Sequence, residues 1–197
     1  MNVFRELQLM LLMKKYNTDK IRNGLLDVYK NVFGNIRNKK ISLLEIGVAK
    51  GGSVKFWADY FKHPESTIIG LDIALPNIFF PKKVIVYQCD QNNSEHLKEI
   101  AIKHGPFDII IDDGSHLQKE TMNCFNVLLD YVVAGGYYVI EDWAVGYSDK
   151  PKYKGMVNVI TNIIENASRL KIEAFNVLLD YHKALAFFKK GTTGWKE

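Results

Sequence analysis

Apolar residues recur along this chain in two rhythms that take turns. Near the start, Val3, Leu7, Met10 and Leu11 fall at helical spacing over residues 3–15. The polar tetrad Asn17-Thr18-Asp19-Lys20 interrupts that pattern and offers cap residues for a second helix over 21–34. From residue 41 the chain alternates. ISLLEIG (41–47), TIIGLDI (67–73), VIVYQCD (84–90), FDIIID (107–112) and GYYVIED (136–142) read as strands, and 53–61, 93–104, 117–133 and 155–168 read as helices. Three consecutive isoleucines at 109–111 mark a strand buried on both faces. Alternating strands and helices predict an α/β fold, with a parallel sheet covered by helices on its two sides.

The heptapeptide FNVLLDY occurs twice, at 125–131 and 175–181. No longer similarity surrounds it, so it is not a domain repeat, and context must decide its conformation. The first copy follows a strand and needs a crossover, which predicts a helix. The second is followed by HKALAFFKK, itself strand-like, which predicts a terminal antiparallel hairpin with Phe175, Val177, Leu179 and Tyr181 on one face. The expectation is a doubly wound, mostly parallel, seven-stranded sheet that ends in that hairpin. An N-terminal helical segment, 1–36, would precede the body, 37–197, in one compact unit.

Composition narrows the classes without choosing one. The chain has 197 residues, enough for one full-sized core, and its 47% hydrophobic and 24% charged content is ordinary. The net charge is +4, but the lysines are scattered, and Lys39-Lys40 and Lys189-Lys190 are short clusters, so no nucleic-acid partner is expected. Cys89 and Cys124 are far apart and suggest neither a disulfide framework nor a zinc knuckle; free thiols fit a cytoplasmic location. The apolar run 9–13 is short, so neither a signal peptide nor a membrane span is expected. The Leu/Met face of helix 3–15 leaves three roles open: packing on the sheet, a lid, or a homo-oligomer contact.

The polar residues that stand out fall at strand ends: Glu45 and Gly47, Asp72, Asp90, Asp112 and Asp113, Glu141 and Asp142. Ligands of such sheets bind at the carboxyl ends of the strands, so one site is expected there. The turn LLEIGVAKGGS (43–53) is glycine-rich, yet it lacks the close second glycine of a dinucleotide fingerprint. It also places Ser53 where a phosphate loop needs lysine. Both phosphate readings weaken, which leaves a ligand that needs close backbone approach and an acidic setting.

Glu45, Gly47 and Gly51 match E-x-G-x-x-x-G, and here the sequence resembles the class I S-adenosylmethionine-dependent methyltransferases. The resemblance implies a Rossmann-like methyltransferase fold. It implies a donor site of Glu45, Gly47, Gly51 and Ser53 in the turn, Asp72 on the ribose hydroxyls, and Asp90 and Gln91 near the adenine. IDDGSH (111–116) with VIEDW (139–143) is similar to the sugar O-methyltransferases that modify macrolides and other glycosides, and to a wider group named cephalosporin-hydroxylase-like. TDK (18–20) is similar to a short motif near the start of that family. The likeness runs loosely over 17–189 and is specific at 43–53, 108–116 and 138–143.

By that resemblance Asp113, Glu141 and Asp142 bind Mg²⁺ or Mn²⁺ and His116 is the general base. Neighbouring strand ends lie about 4.8 Å apart, so three carboxylates can converge on one ion. Without a cation such carboxylates repel one another. Asp112 is expected to cap the turn into the next helix and to touch the cofactor. Trp57 reads as core, while Trp143, Tyr147 and Tyr153 read either as a sugar platform or as loop aromatics. The segment 143–154 leaves little room for a lid. The function implied is O-methylation of a sugar or glycoside hydroxyl. A catechol-like acceptor and a non-catalytic nucleoside-binding partner domain are the alternatives. A non-haem iron hydroxylase would want a second histidine, and only His116 is on offer.

Overall fold

The computed structural model describes Leu11, residues 15–179 and residues 184–192. Most of the expected helix 3–15, and Tyr181 of the second heptapeptide copy, lie outside the described residues. Helix α1 (Asp19–Arg22) and helix α2 (Leu25–Phe33) replace the single helix expected over 21–34. Gly24 separates them, with a left-handed backbone (φ 72°) that a continuous helix does not allow. Helix α2 is amphipathic and buries Leu25, Leu26, Tyr29 and Phe33.

Strands β1 (Ser42–Ile46), β2 (Thr67–Asp72), β3 (Val84–Gln88), β4 (Phe107–Asp112) and β5 (Val132–Glu141) follow in turn. Between them run helices α3 (Gly52–Tyr60), α4 (Ser94–His104) and α5 (Gln118–Leu128). Helix α6 (Met156–Glu165) leads to the hairpin of β6 (Ile172–Leu178) and β7 (Leu185–Lys190). The sheet has seven strands in the order β3-β2-β1-β4-β5-β7-β6. Strands β1 to β5 pair in parallel, and β7 joins antiparallel to both β5 and β6. The doubly wound expectation with its terminal hairpin holds.

The repeated heptapeptide does adopt two conformations. Its first copy closes α5 and passes into a 3₁₀ turn at Leu129–Tyr131, and its second begins inside β6. Strand β5 starts at Val132, earlier than the expected 136, and cuts the helix expected to reach 133. The paired β-branched residues Val132 and Val133 favour the strand.

Register decides which strand-end residues meet. Glu45 pairs with Ile111, and Ile111 with Val139, so these three share one face. Two residues on, Asp113 and Glu141 follow that face by the two-residue alternation of a strand. The apolar cluster there includes Tyr29, Trp57, Ile111, Val139 and Phe187. Asp112 lies on the opposite face, whose cluster includes Cys124, Phe125, Tyr138 and Ile140. Neighbouring residues in one motif are thereby sent to different sides of the sheet.

Candidate active site

The turn after β1 is built for close approach. Gly47 has φ 96°, and a Cβ on it would stand 2.0 Å from the Asp113 carbonyl oxygen. Only glycine lets the two strand ends come this near. Asp72 stitches the turn. Its Oδ2 accepts from the backbone N–H groups of Val48 and Ala49 at 2.8 and 2.7 Å, and its Oδ1 from Ala74 at 3.0 Å. Beside it opens a cavity of about 390 Å³, lined by Gly47, Ala49, Asp72, Asp90, Gln91, Asp113, Gly114, Ser115 and others. It sits where the strand order reverses between β1 and β4, the usual ligand crevice of such sheets.

Gln91 organises one wall of that cavity. Its Oε1 accepts from the Ser115 backbone N–H at 2.8 Å, and its Nε2 donates to Asp112 Oδ1 at 3.3 Å. Asp112 is buried, 2% exposed, and also accepts from Tyr138 and from the Gly114 backbone. Burial pushes its carboxyl up to about 7. It does not line the cavity; it braces the turn that carries Asp113 and His116.

Glu45 and Ser53 do not line the cavity either. Glu45 is wholly buried behind the turn, where it accepts from Ser53 Oγ at 2.7 Å and Trp57 Nε1 at 3.3 Å. Gly51 serves the turn itself, with φ 77° at the start of α3. Trp57 is core, and Trp143 is too: it is 4% exposed and donates to the Leu178 carbonyl at 3.1 Å. Tyr147 is exposed against its edge.

Two groups of residues that could hold a metal ion meet at Asp113. The outer group is Asp113, His116 and Asp142, all partly exposed. His116 Nε2 stands 4.0 Å from Asp113 Oδ1 and 3.8 Å from Asp142 Oδ2. Both His116 and Asp142 have left-handed backbones, φ 54° and 53°. Such conformations are uncommon for residues with a side chain. The inner group is Glu45, Asp113 and Glu141. There the expected trio separates, because Glu141 stays on the strand and faces the N-terminal segment, while Asp142 leaves it.

The inner group already has a cation. The ammonium of Lys20, 1% exposed, lies 2.6 Å from Glu141 Oε1, 2.7 Å from Asp113 Oδ2 and 3.2 Å from Glu45 Oε1. Tyr29 donates a second hydrogen bond to the same Glu141 oxygen, at 2.5 Å. Burial alone would lower the lysine pKa, but the pull of Asp113, Glu141 and Glu45 outweighs it and holds the pKa well above the ordinary range. Burial, and repulsion from Asp113, push the Glu141 carboxyl up. Sequence reasoning noted the TDK motif but gave Lys20 no task and missed Tyr29. The available signal was the repulsion among the three carboxylates, which calls for a cation of some kind.

No family model matches the chain. It is 40% identical over 126 residues to the mycinamicin VI 2''-O-methyltransferase of Micromonospora griseorubida, covering 60% of this chain and 31% of that protein. It is 36% identical over 141 residues to the 8-demethyl-8-(2-methoxy-alpha-L-rhamnosyl)-tetracenomycin-C 3'-O-methyltransferase of Streptomyces olivaceus, covering 65% of this chain and 34% of that one. The chain thus spans about a third of the curated relatives it matches. Among solved structures, the MycE methyltransferase of the mycinamycin pathway, in complex with Mg, SAH and mycinamycin VI, superposes with a TM-score of 0.78 at 33% identity. That match covers 93% of this chain and 54% of the MycE chain. By sheet order and by sequence, the chain carries the class I S-adenosylmethionine-dependent methyltransferase fold and is related to the sugar O-methyltransferases.

Proposed function

We propose that this domain transfers a methyl group from S-adenosylmethionine to a sugar hydroxyl of a glycosylated small molecule, with Mg²⁺ or Mn²⁺ as its resident metal. The observation that carries the reading is the double membership of Asp113, which lines the nucleoside-sized cavity and belongs to the cluster with His116 and Asp142. The donor set fits: carboxylate oxygens suit a hard divalent cation. The relatives' names supply the acceptor class, since those proteins methylate sugars on natural products. The two free, buried cysteines suit a cytoplasmic setting, and among the described residues no helix is long and apolar enough to cross a membrane.

Asp72, Asp90 and Gln91 are proposed to hold the methyl donor; Asp113 and Asp142 would take the metal, and Glu141 would join them through the oxygen that Lys20 and Tyr29 leave free. A bound divalent cation supplies Lewis acidity to the acceptor hydroxyl. The chain's own residues do the rest. His116 would take the hydroxyl proton as the oxygen bonds the methyl carbon and the carbon–sulfur bond breaks, releasing S-adenosylhomocysteine. Asp113 and Asp142 flank the ring and stabilise the imidazolium that forms. The turn built on Gly47, Asp72 and Gln91 fixes where the donor lies relative to that base.

Transfer from labelled S-adenosylmethionine to a panel of glycosides, with and without EDTA, tests the reading. His116→Ala is expected to lose roughly 10²–10⁴-fold in rate, the usual worth of a general base, while still binding S-adenosylhomocysteine. Full activity in EDTA would remove the metal. Binding without turnover on any acceptor would make the domain a nucleoside-binding module instead.

A further inference from the structure

We propose that Lys20 is a positioning residue for the metal site: a built-in ammonium that holds Asp113 and Glu141 by one oxygen each and makes the site depend on docking of the N-terminal segment. The inference rests on the reading of Asp113, Glu141 and Asp142 as the metal carboxylates.

The geometry divides the labour between oxygens. Lys20 takes Oδ2 of Asp113, while Oδ1 of the same carboxylate is the atom that faces His116. Lys20 and Tyr29 together occupy Oε1 of Glu141. Each carboxylate is thereby fixed in rotation with its second oxygen uncommitted to Lys20. The oxygens that Lys20 leaves free on Asp113 and Glu141 are the ones a divalent cation would take. Lys20 comes from α1, and its neighbourhood packs tightly on α3: a Cβ on Gly52 would stand 2.1 Å from the Tyr16 carbonyl oxygen. The site is therefore closed on its inner side by residues 16–29.

Stability alone does not account for this arrangement. Apolar replacement of a buried ion pair is often neutral or stabilising, so a lysine enclosed by three carboxylates is weak evidence of a purely structural role. Residues that orient metal carboxylates typically cost 10–100-fold in metal affinity when removed.

The test is Mn²⁺ affinity, read from free Mn²⁺ by electron paramagnetic resonance, alongside S-adenosylhomocysteine affinity by calorimetry. Lys20→Met is expected to weaken Mn²⁺ binding by about 10–100-fold and to change S-adenosylhomocysteine binding far less, because of the carboxylates that Lys20 touches only Asp113 lines the donor cavity. A merely structural lysine would lower the melting temperature without moving the Mn²⁺ affinity of the folded protein. Where Lys20→Met does not fold, Lys20→Met/Glu45→Gln decides by the same readout, since it removes one uncompensated charge, and its amide oxygen can accept from Trp57 while its amide N–H donates to the Ser53 hydroxyl. Unchanged or tighter Mn²⁺ binding in either folded variant overturns the proposal. A wild-type protein that binds no Mn²⁺ overturns the metal reading itself.

Discussion

Two ion pairs of equal length tie the N-terminal segment to the body of the fold. Lys15 reaches Asp59 on α3 at 2.6 Å, and Lys20 reaches Glu141 at the end of β5, also at 2.6 Å. The first pair is about half exposed on both sides, 60% and 48%; the second is 1% and 2% exposed. Distance does not distinguish them, but environment does. The outer pair competes with water and is screened by salt. The inner pair has left water behind, and each member depends on the other for its charge to be tolerated. Losing the outer pair frees two side chains to solvent. Losing Lys20 leaves three carboxylates without their cation, and losing Glu141 leaves a buried ammonium with two of its three partners.

The sharpest way to break that comparison is Glu141→Ala. It removes the carboxylate that Lys20 and Tyr29 share and leaves a buried ammonium with fewer counter-charges. The expected loss is about 3–5 kcal/mol of unfolding free energy, as for other broken buried pairs. Urea denaturation monitored by tryptophan fluorescence measures it. A loss below about 1 kcal/mol, the ceiling for an exposed pair, would place both ion pairs in one class.

Tyr29→Phe sharpens the comparison at smaller scale. It deletes one hydroxyl from the inner cage and leaves the ring, which sits edge-on to Trp57 and Phe187 with centroids 5.0 and 5.7 Å away. A hydrogen bond to a charged group is worth about 1.5–3 kcal/mol. The same denaturation experiment should find a loss in that range. A neutral result would mean that Lys20 alone satisfies Glu141.

These two regions also show what sequence can and cannot reveal. The strands, their order and the split fate of FNVLLDY were legible because each rests on local rhythm, which turn residues punctuate. Asp113, Glu141 and Asp142 were expected to converge beside His116 because strand ends of a parallel sheet lie close; the structure groups Asp113 and Asp142 with His116 and turns Glu141 toward Lys20. Lys20 was not. It lies 121 positions from Glu141, and a lysine just after a cap residue reads as a solvated first turn. Nor could the pattern say that Glu141 and Asp142, consecutive in sequence, part company. That depends on the left-handed backbone at Asp142, which no apolar periodicity encodes. Glu45 and Ser53 were placed at the donor by motif, but alternation along β1 puts Glu45 on the face that α2 and α3 cover.

The smallest effect belongs to the outer pair, and its sign can be worked out from pH. Hydrogen bonds from Lys15 and from Tyr16, at 2.6 Å each, hold the Asp59 carboxyl below the ordinary aspartate range. A carboxyl lowered on folding contributes stability above its unfolded pKa, because there the charged form is bonded in the native state. That contribution is lost as pH falls through the unfolded and then the folded value, so the loss occurs between about pH 4 and the lowered pKa. Asp59→Asn should therefore cost a few tenths to about 1 kcal/mol at pH 7 and nothing at the acid end of that window. In 1 M salt the difference at pH 7 should shrink, since the Debye length there is about 3 Å. The Glu141→Ala loss should respond less to monovalent salt, because Lys20 and Glu141 are 1% and 2% exposed and bulk ions screen a buried pair weakly. Denaturation curves for both variants in low and high salt put the two pairs side by side. Equal salt sensitivity would show that the Lys20 cage opens to water, and would undo the distinction between the two anchors.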